Sequence, residues 1–229
     1  QVRKAGVTPR AVQVDVSLYS GPTMAPGWDV ADIDGGDFAP IQSVMIDAGR
    51  IQPTTVESRR STTPALDAGR VLAMALKIDP ANVTVRTTPA TGGQQLGAVQ
   101  SPPLIERLRE MMWASDNVMA ESIGREVAAA VNLPQSFDGG VRGVLGQLSK
   151  AGLTTSGATL FDASGLSVND RLTATVLDGL VNAAAGNSEP RLRPLLDVLP
   201  IAGGSGTLWN RYVDTPSAGY LRAKTGSLT

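Results

Sequence analysis

The 229 residues contain no histidine and no cysteine. Without imidazole or thiolate there can be no Ser-His-Asp triad, no Cys-His pair, no zinc site built on those ligands, no haem and no iron–sulfur cluster. Disulfides are excluded too, so cysteine usage says nothing of redox compartment. Lysine is scarce: Lys4, Lys77, Lys150 and Lys224 stand against sixteen arginines. Aromatic residues are only 4% of the chain. No apolar run approaches the roughly 18 residues of a membrane span. The charges nearly cancel, 20 basic against 21 acidic, so neither a nucleic-acid footprint nor an acidic tail is present. Nucleophilic or proton-transfer chemistry must therefore rest on Ser, Thr, Lys, Tyr, Asp or Glu.

What is present is ordinary globular material, 42% hydrophobic and 18% charged, enough for one large domain or two small ones. Val12, Val14, Val16 and Leu18 alternate with polar residues, the period of a half-buried strand. A turn-rich loop follows, from Ser20-Gly21-Pro22 to Pro26-Gly27-Trp28. Pro53 to Pro64 reads as a linker or crossover, with Arg59-Arg60 on a solvated face. Leu66, Val71, Leu72, Ala75 and Leu76 predict a helix opened by Pro64 and closed near Asp79-Pro80. Val83, Val85 and Thr87 predict a strand. Ser101-Pro102-Pro103 predicts a helix with a Ser cap and Pro in its first turn. Further helical faces run through Leu104–Met111, Met119–Val127, Val141–Leu148 and Leu172–Leu180, and Tyr220–Leu228 predicts a terminal strand. The three tryptophans, Trp28, Trp113 and Trp209, read as core or loop anchors rather than sugar platforms. Gly203-Gly204-Ser205-Gly206 lacks the lysine and spacing of a phosphate loop.

Two tripeptides carry candidate chemistry. Ser115-Asp116-Asn117 falls between two helical faces. One reading is a helix cap, in which Asp116 or Asn117 satisfies free backbone N–H groups. The other is a hydroxyl that relays a proton and an amide that clamps a substrate carbonyl. Lys224-Thr225-Gly226 lies in the terminal strand-like run. Strand alternation puts Lys224 and Gly226 on one face, where glycine admits a close backbone approach and lysine offers a point charge for a carboxylate. The competing reading is a solvent-facing lysine beside a turn.

The two in this order match the second and third motifs of the serine penicillin-recognising set, S-x-x-K, S-x-N and K-T-G, a hydrolytic design that needs no histidine, cysteine or metal. The resemblance covers nearly the whole chain. Ser17-Leu18-Tyr19-Ser20-Gly21-Pro22 with Pro26-Gly27-Trp28, Ser101-Pro102-Pro103-Leu104, Ala120-Glu121, Asp162-Ala163-Ser164-Gly165-Leu166-Ser167, Leu199-Pro200-Ile201-Ala202-Gly203, Gly206-Thr207-Leu208 and Arg222 to Leu228 together resemble penicillin-binding proteins of the D-alanyl-D-alanine carboxypeptidase/endopeptidase type, low-molecular-mass class C. The resemblance implies an α+β, serine β-lactamase/transpeptidase-like domain, a sheet flanked by helices. Residues 1–60 are expected to be the remainder of an inserted β-rich domain with its linker, and residues 61–229 the penicillin-binding domain.

By the same resemblance, Ser115 passes a proton to the leaving amine and Asn117 holds the acyl-side amide. Lys224 attracts the terminal carboxylate and supports the Ser115 hydroxyl. Thr225 hydrogen-bonds that carboxylate, Gly226 lines the substrate, and the Ser227 backbone N–H forms half of an oxyanion hole. The implied activity is a serine D,D-carboxypeptidase, with D,D-endopeptidase action alongside it. It acts on D-Ala-D-Ala termini of peptidoglycan stem peptides through an acyl-enzyme, and β-lactams are inhibitors. No cofactor, metal, nucleic acid or transmembrane segment is implied, and the expected location is the periplasm or cell wall.

One element of the set is missing. The residues three before the four lysines are Gln1, Met74, Gln147 and Leu221, none of them serine. Gln1 in place of Met, and an abrupt end at Gly226-Ser227-Leu228-Thr229, fit an incomplete chain with S-x-x-K upstream, inactive by itself. The alternatives are a non-catalytic wall-binding or scaffold homologue, and a β-lactamase or esterase of the same fold.

Overall fold

The computed structural model describes every residue except 1, 53, 54, 56, 57 and 227–229. The chain divides into two compact units. The first holds Gln1–Met24, Asp29–Ser101 and Pro134–Ser136; the second holds Ala25–Trp28, Pro102–Leu133 and Phe137–Thr229.

The first unit is built on a parallel pair, β1 (Val12–Asp15) and β2 (Val83–Arg86), with Val12 opposite Val83 and Val14 opposite Val85. A short helix, α1 (Ala31–Gly35), and a longer one, α2 (Pro64–Leu76), lie between them in the chain. Parallel neighbours need a long crossover, and α2 supplies it. Pro64 sits in the first turn, where its missing N–H costs nothing. Lys77 closes the helix in the left-handed region at φ 62°. Val12, Val14, Val16, Ala65, Ala73, Ile78 and Val83 form the core between helix and strands. Gly69 makes that packing tight: a Cβ there would lie 2.6 Å from both Val14 Cγ2 and Val83 Cγ1.

β1 is shorter than the alternation predicts. It ends at Asp15, whose Oδ1 accepts the Ser17 N–H at 2.9 Å, and Leu18 is exposed. The solvated-face reading holds for Arg59, which pairs with Asp34 on the surface, but not for Arg60. Arg60 is buried and donates from Nε to Gly36 O at 2.7 Å and from Nη1 to Ala48 O at 2.8 Å. It supplies donors to loop carbonyls that no ladder satisfies.

The second unit is helical: α3 (Leu104–Ala114), α4 (Asn117–Ala130), α5 (Phe137–Lys150), α6 (Ala174–Ala185) and α7 (Pro194–Val198). α4 and α5 pack closely across small residues. A Cβ on Gly140 would meet the Gly124 backbone at 3.2 Å, and one on Gly143 would meet Val127 Cγ1 at 3.2 Å. Ser101 does not cap α3, as expected from sequence; Pro103 holds the cap position without a side-chain bond. The two prolines force the preceding residues into extended backbone, which carries Ser101 out of capping range.

The terminal strand expected at Tyr220–Leu228 is reduced, among the described residues, to one antiparallel bridge between Ile201 and Arg222. Ala202 N–H donates to Leu221 O and Ala223 N–H to Pro200 O. The pairing goes no further because the antiparallel register would set residue 225 against Val198, the last residue of helix α7, which offers no extended partner. Leu228 lies outside the described residues.

Candidate active site

Two residues join α3 to α4, and their conformations set the site. Ser115 adopts φ 54°, ψ 44°, the left-handed region, at a cost on the order of 1–2 kcal/mol for a residue with a Cβ. That reversal lets Asp116 N–H donate to Met111 O at 3.0 Å and lets Asp116 Oδ1 accept the Met119 N–H at 2.9 Å. The capping reading is thus correct for Asp116, which stands between Ser115 and Asn117. Ser115 is exposed; Asn117 opens α4.

Lys224 arrives from the other end of the unit's sequence. Its Nζ donates to Ser115 Oγ at 2.7 Å and to the Thr225 carbonyl at 2.8 Å. Both acceptors are neutral, so the ammonium keeps its full charge for an anionic ligand. Much of the side chain remains in contact with solvent, yet burial of its charged end holds the pKa below the usual lysine value. Thr225 turns its hydroxyl to Thr207, Oγ1 to Oγ1 2.8 Å. A Cβ on Gly226 would meet nothing within 4 Å among the described residues. Ser227, the expected oxyanion-hole donor, lies outside the described residues.

A buried polar network stiffens the same unit. Glu121 of α4 accepts the N–H groups of Ala163 and Ser164 at 2.7 and 2.8 Å through Oε1, and Arg125 at 3.1 Å through Oε2. Arg125 stacks on Phe137, 4.2 Å from the ring centroid. Asp162 takes backbone donors from Ser164, Gly165 and Ser167, and the Trp28 indole N–H at 2.7 Å. Trp28 meets Phe137 edge to face, which fits the anchor reading; Trp209 is 65% exposed and does not. Burial, reinforced by the Asp162 carboxylate, pushes Glu121 up to about 7. A cavity of about 360 Å³ lies between this loop and α5, lined by Val141, Val144, Asp162, Asp170 and Leu172. None of Ser115, Asn117, Lys224 and Thr225 lines it.

Sequence reasoning missed Thr207 and Arg125. The Glu121–Arg125 spacing of four, one helix face, was the available signal for Arg125; for Thr207 it was the Gly206-Thr207-Leu208 landmark, which carries no role for the hydroxyl by itself.

An α+β domain that sets a serine hydroxyl on a lysine ammonium, in the order S-x-N then K-T-G, defines the transpeptidase-like class. A profile of the D-Ala-D-Ala carboxypeptidase 3 (S13) family matches residues 1–59 and 54–229, and the chain belongs to that family. It is 66% identical over 233 residues to a carboxypeptidase of Mycobacterium tuberculosis, covering 100% of this chain and 50% of that protein. The fold is similar to the crystal structure of penicillin binding protein 4 (dacB) from Haemophilus influenzae, TM-score 0.75 at 25% identity, covering 99% of this chain and 65% of that one. A second crystal structure of that protein, complexed with a β-lactam, matches with TM-score 0.60 at 31% identity over 75% of this chain and 40% of that one. The chain spans about half the length of the curated relatives it matches. Among the described residues no helix is long and apolar enough to cross a membrane.

Proposed function

We propose that the full-length protein is a serine D,D-carboxypeptidase acting on D-Ala-D-Ala termini of peptidoglycan stem peptides, outside the cytoplasm, and that these residues supply its proton-relay and carboxylate-binding half. The observation that carries the reading is the 2.7 Å contact between Lys224 Nζ and Ser115 Oγ in a chain of this family. The nucleophile is an S-x-x-K serine of the full-length protein, outside these 229 residues. Its Oγ attacks the carbonyl of the penultimate residue, forming the acyl bond as the amide C–N bond breaks.

The leaving amine needs a proton. In this reading Ser115 Oγ passes one while it accepts a hydrogen bond from Lys224 Nζ. A hydroxyl bonded to a cation gives up its proton more readily than a free one. Lys224 also presents positive charge to the terminal carboxylate, and Thr225 offers a hydroxyl to it. Asn117 orients the acyl-side amide, Gly226 admits the extended peptide, and Ser227 N–H contributes to the oxyanion hole. Water then hydrolyses the ester. A β-lactam follows the same first step, but its leaving amine stays tethered, so the acyl-enzyme lasts.

Intact mass spectrometry of the full-length protein after penicillin tests this. One covalent adduct of the drug's mass is expected. No adduct would overturn the enzyme reading in favour of a scaffold protein.

A further inference from the structure

The carboxylate-binding hydroxyl has a partner that the tripeptide motifs do not contain. Thr225 Oγ1 lies 2.8 Å from Thr207 Oγ1, eighteen residues earlier. A hydroxyl has one proton and two lone pairs. If Thr225 spends its proton on Thr207, it meets an incoming carboxylate with lone pairs only, and two acceptors repel. If Thr207 donates instead, the Thr225 proton is aimed at the ligand, and the donated bond polarises it. From the geometry we infer that Thr207 is a positioning residue: on binding it donates to Thr225 Oγ1 and turns the Thr225 proton toward the substrate's terminal carboxylate.

The turn that carries Thr207 is built to hold it in place. Ser205 Oγ accepts the Ile201 N–H at 3.2 Å, and Leu208 N–H donates to Ser205 O. Leu208 is 2% exposed and anchors the far side. Gly206 adopts φ 55° and presses against α3; a Cβ there would lie 2.9 Å from Trp113 Cα and 3.0 Å from Pro200 Cγ. Trp113 is two residues before Ser115. The same helix end therefore locates the Ser115 hydroxyl and the turn that bears Thr207. Both Thr207 and Thr225 are half-buried, which limits competition from water for the bond between them. The free hydroxyls interchange donor and acceptor by rotation alone, so no backbone movement is required.

The inference rests on the carboxypeptidase reading, and the test separates the two. Full-length wild type, Thr207→Val, Thr207→Ser, Thr225→Val and the double valine variant are assayed on a D-Ala-D-Ala peptide and on its C-terminal methyl ester. Thr207→Val is expected to lower kcat/KM on the free carboxylate about five- to tenfold, mostly through KM, and to lower the ester rate less than twofold. Thr207→Ser, which keeps the hydroxyl, restores the carboxylate rate. Adding Thr207→Val to Thr225→Val costs nothing further, because one bond is broken either way. Equal losses on both substrates, or additive losses in the double variant, would overturn the positioning role while wild-type hydrolysis leaves the enzyme reading standing. A wild type that hydrolyses neither substrate overturns both.

Discussion

Lys224 Nζ and Ser115 Oγ meet at 2.7 Å although 109 residues separate them in the chain. Both side chains are reachable by solvent, so their removal should spare the fold and strike the chemistry. Lys224→Ala and Ser115→Ala in the full-length protein are expected to slow acylation by penicillin on the order of 10²–10³-fold, with melting temperatures close to wild type. The depressed Lys224 pKa sets the pH dependence. The ammonium loses its proton below the usual lysine range, so the alkaline limb of kcat/KM should fall before pH 10.5. A stopped-flow acylation profile with a fluorescent penicillin measures both. A limb that begins at or above 10.5 would contradict the desolvated lysine.

Glu121 and Asp170 make stability fall toward neutral pH. Burial first, and the Asp162 carboxylate next, push Glu121 up to about 7; burial also pushes Asp170 up to about 6. A folded carboxyl with a raised pKa holds its proton where the unfolded one has released it. Below pH 4.5 Glu121 is protonated in both states, and the stabilisation is complete. Between 4.5 and about 7 unfolding releases a proton, so the stabilisation drains away as pH rises. For buried Glu121 the loss is roughly 3 kcal/mol. Glu121→Gln cannot ionise, and it should flatten the slope of urea-unfolding free energy over pH 4.5–7. An unchanged slope would show that the carboxylate is already ionised at pH 4.5.

Much of this is legible in the sequence. Val12, Val14 and Val16 alternate because one face of β1 is buried, and the start of α2 follows from Pro64. The candidate tripeptides were visible because each is contiguous. What brings them together is not local: no pattern near Ser115 reports a lysine 109 residues away. Arg60 was misread for a related reason. Its neighbour Arg59 is an ordinary surface arginine, and only the path of the loop through Gly36 and Ala48 distinguishes them. Among the described residues the strand expected beyond Tyr220 is a single bridge, because alternation marks a face, whereas a ladder also needs an extended partner, and in this register the partner past Leu199 is helix α7.

Glycines in two helices should answer alanine with opposite signs. Alanine is about 1 kcal/mol better than glycine inside a helix. At Gly146 of α5 a Cβ meets nothing within 4 Å, so Gly146→Ala should stabilise by up to about 1 kcal/mol. At Gly69 of α2 the Cβ would stand 2.6 Å from two branched valine methyls. Overpacking of that kind costs about 1–3 kcal/mol, more than the propensity gain, so Gly69→Ala should destabilise. Val14→Ala alone leaves a cavity, but combined with Gly69→Ala it should recover part of that loss. Denaturant titrations of the four proteins decide it; a stabilised Gly69→Ala would mean that the strands yield to α2.

Arg59 and Arg60 should differ by an order of magnitude in what they contribute. Arg59 pairs with Asp34 where both side chains are two-thirds exposed. Exposed pairs of this sort are worth about 0–1 kcal/mol, so Arg59→Ala should be nearly silent. Arg60 is 4% exposed and bonds two carbonyls, Gly36 O and Ala48 O. Arg60→Met fills much of the volume and strands both acceptors, each at a cost of about 1–3 kcal/mol. Lysine has a single nitrogen and cannot serve two carbonyls from opposite edges of a planar fork, so Arg60→Lys should recover little. Hydrogen exchange gives the local readout. The amides of Gly49 and Ser61, bonded to Ile46 O and Gly49 O, should lose protection in Arg60→Met while the amides of α2 keep theirs. Equal exchange in the Arg59 and Arg60 variants would show that the loop is held by its own turns and not by the buried guanidinium.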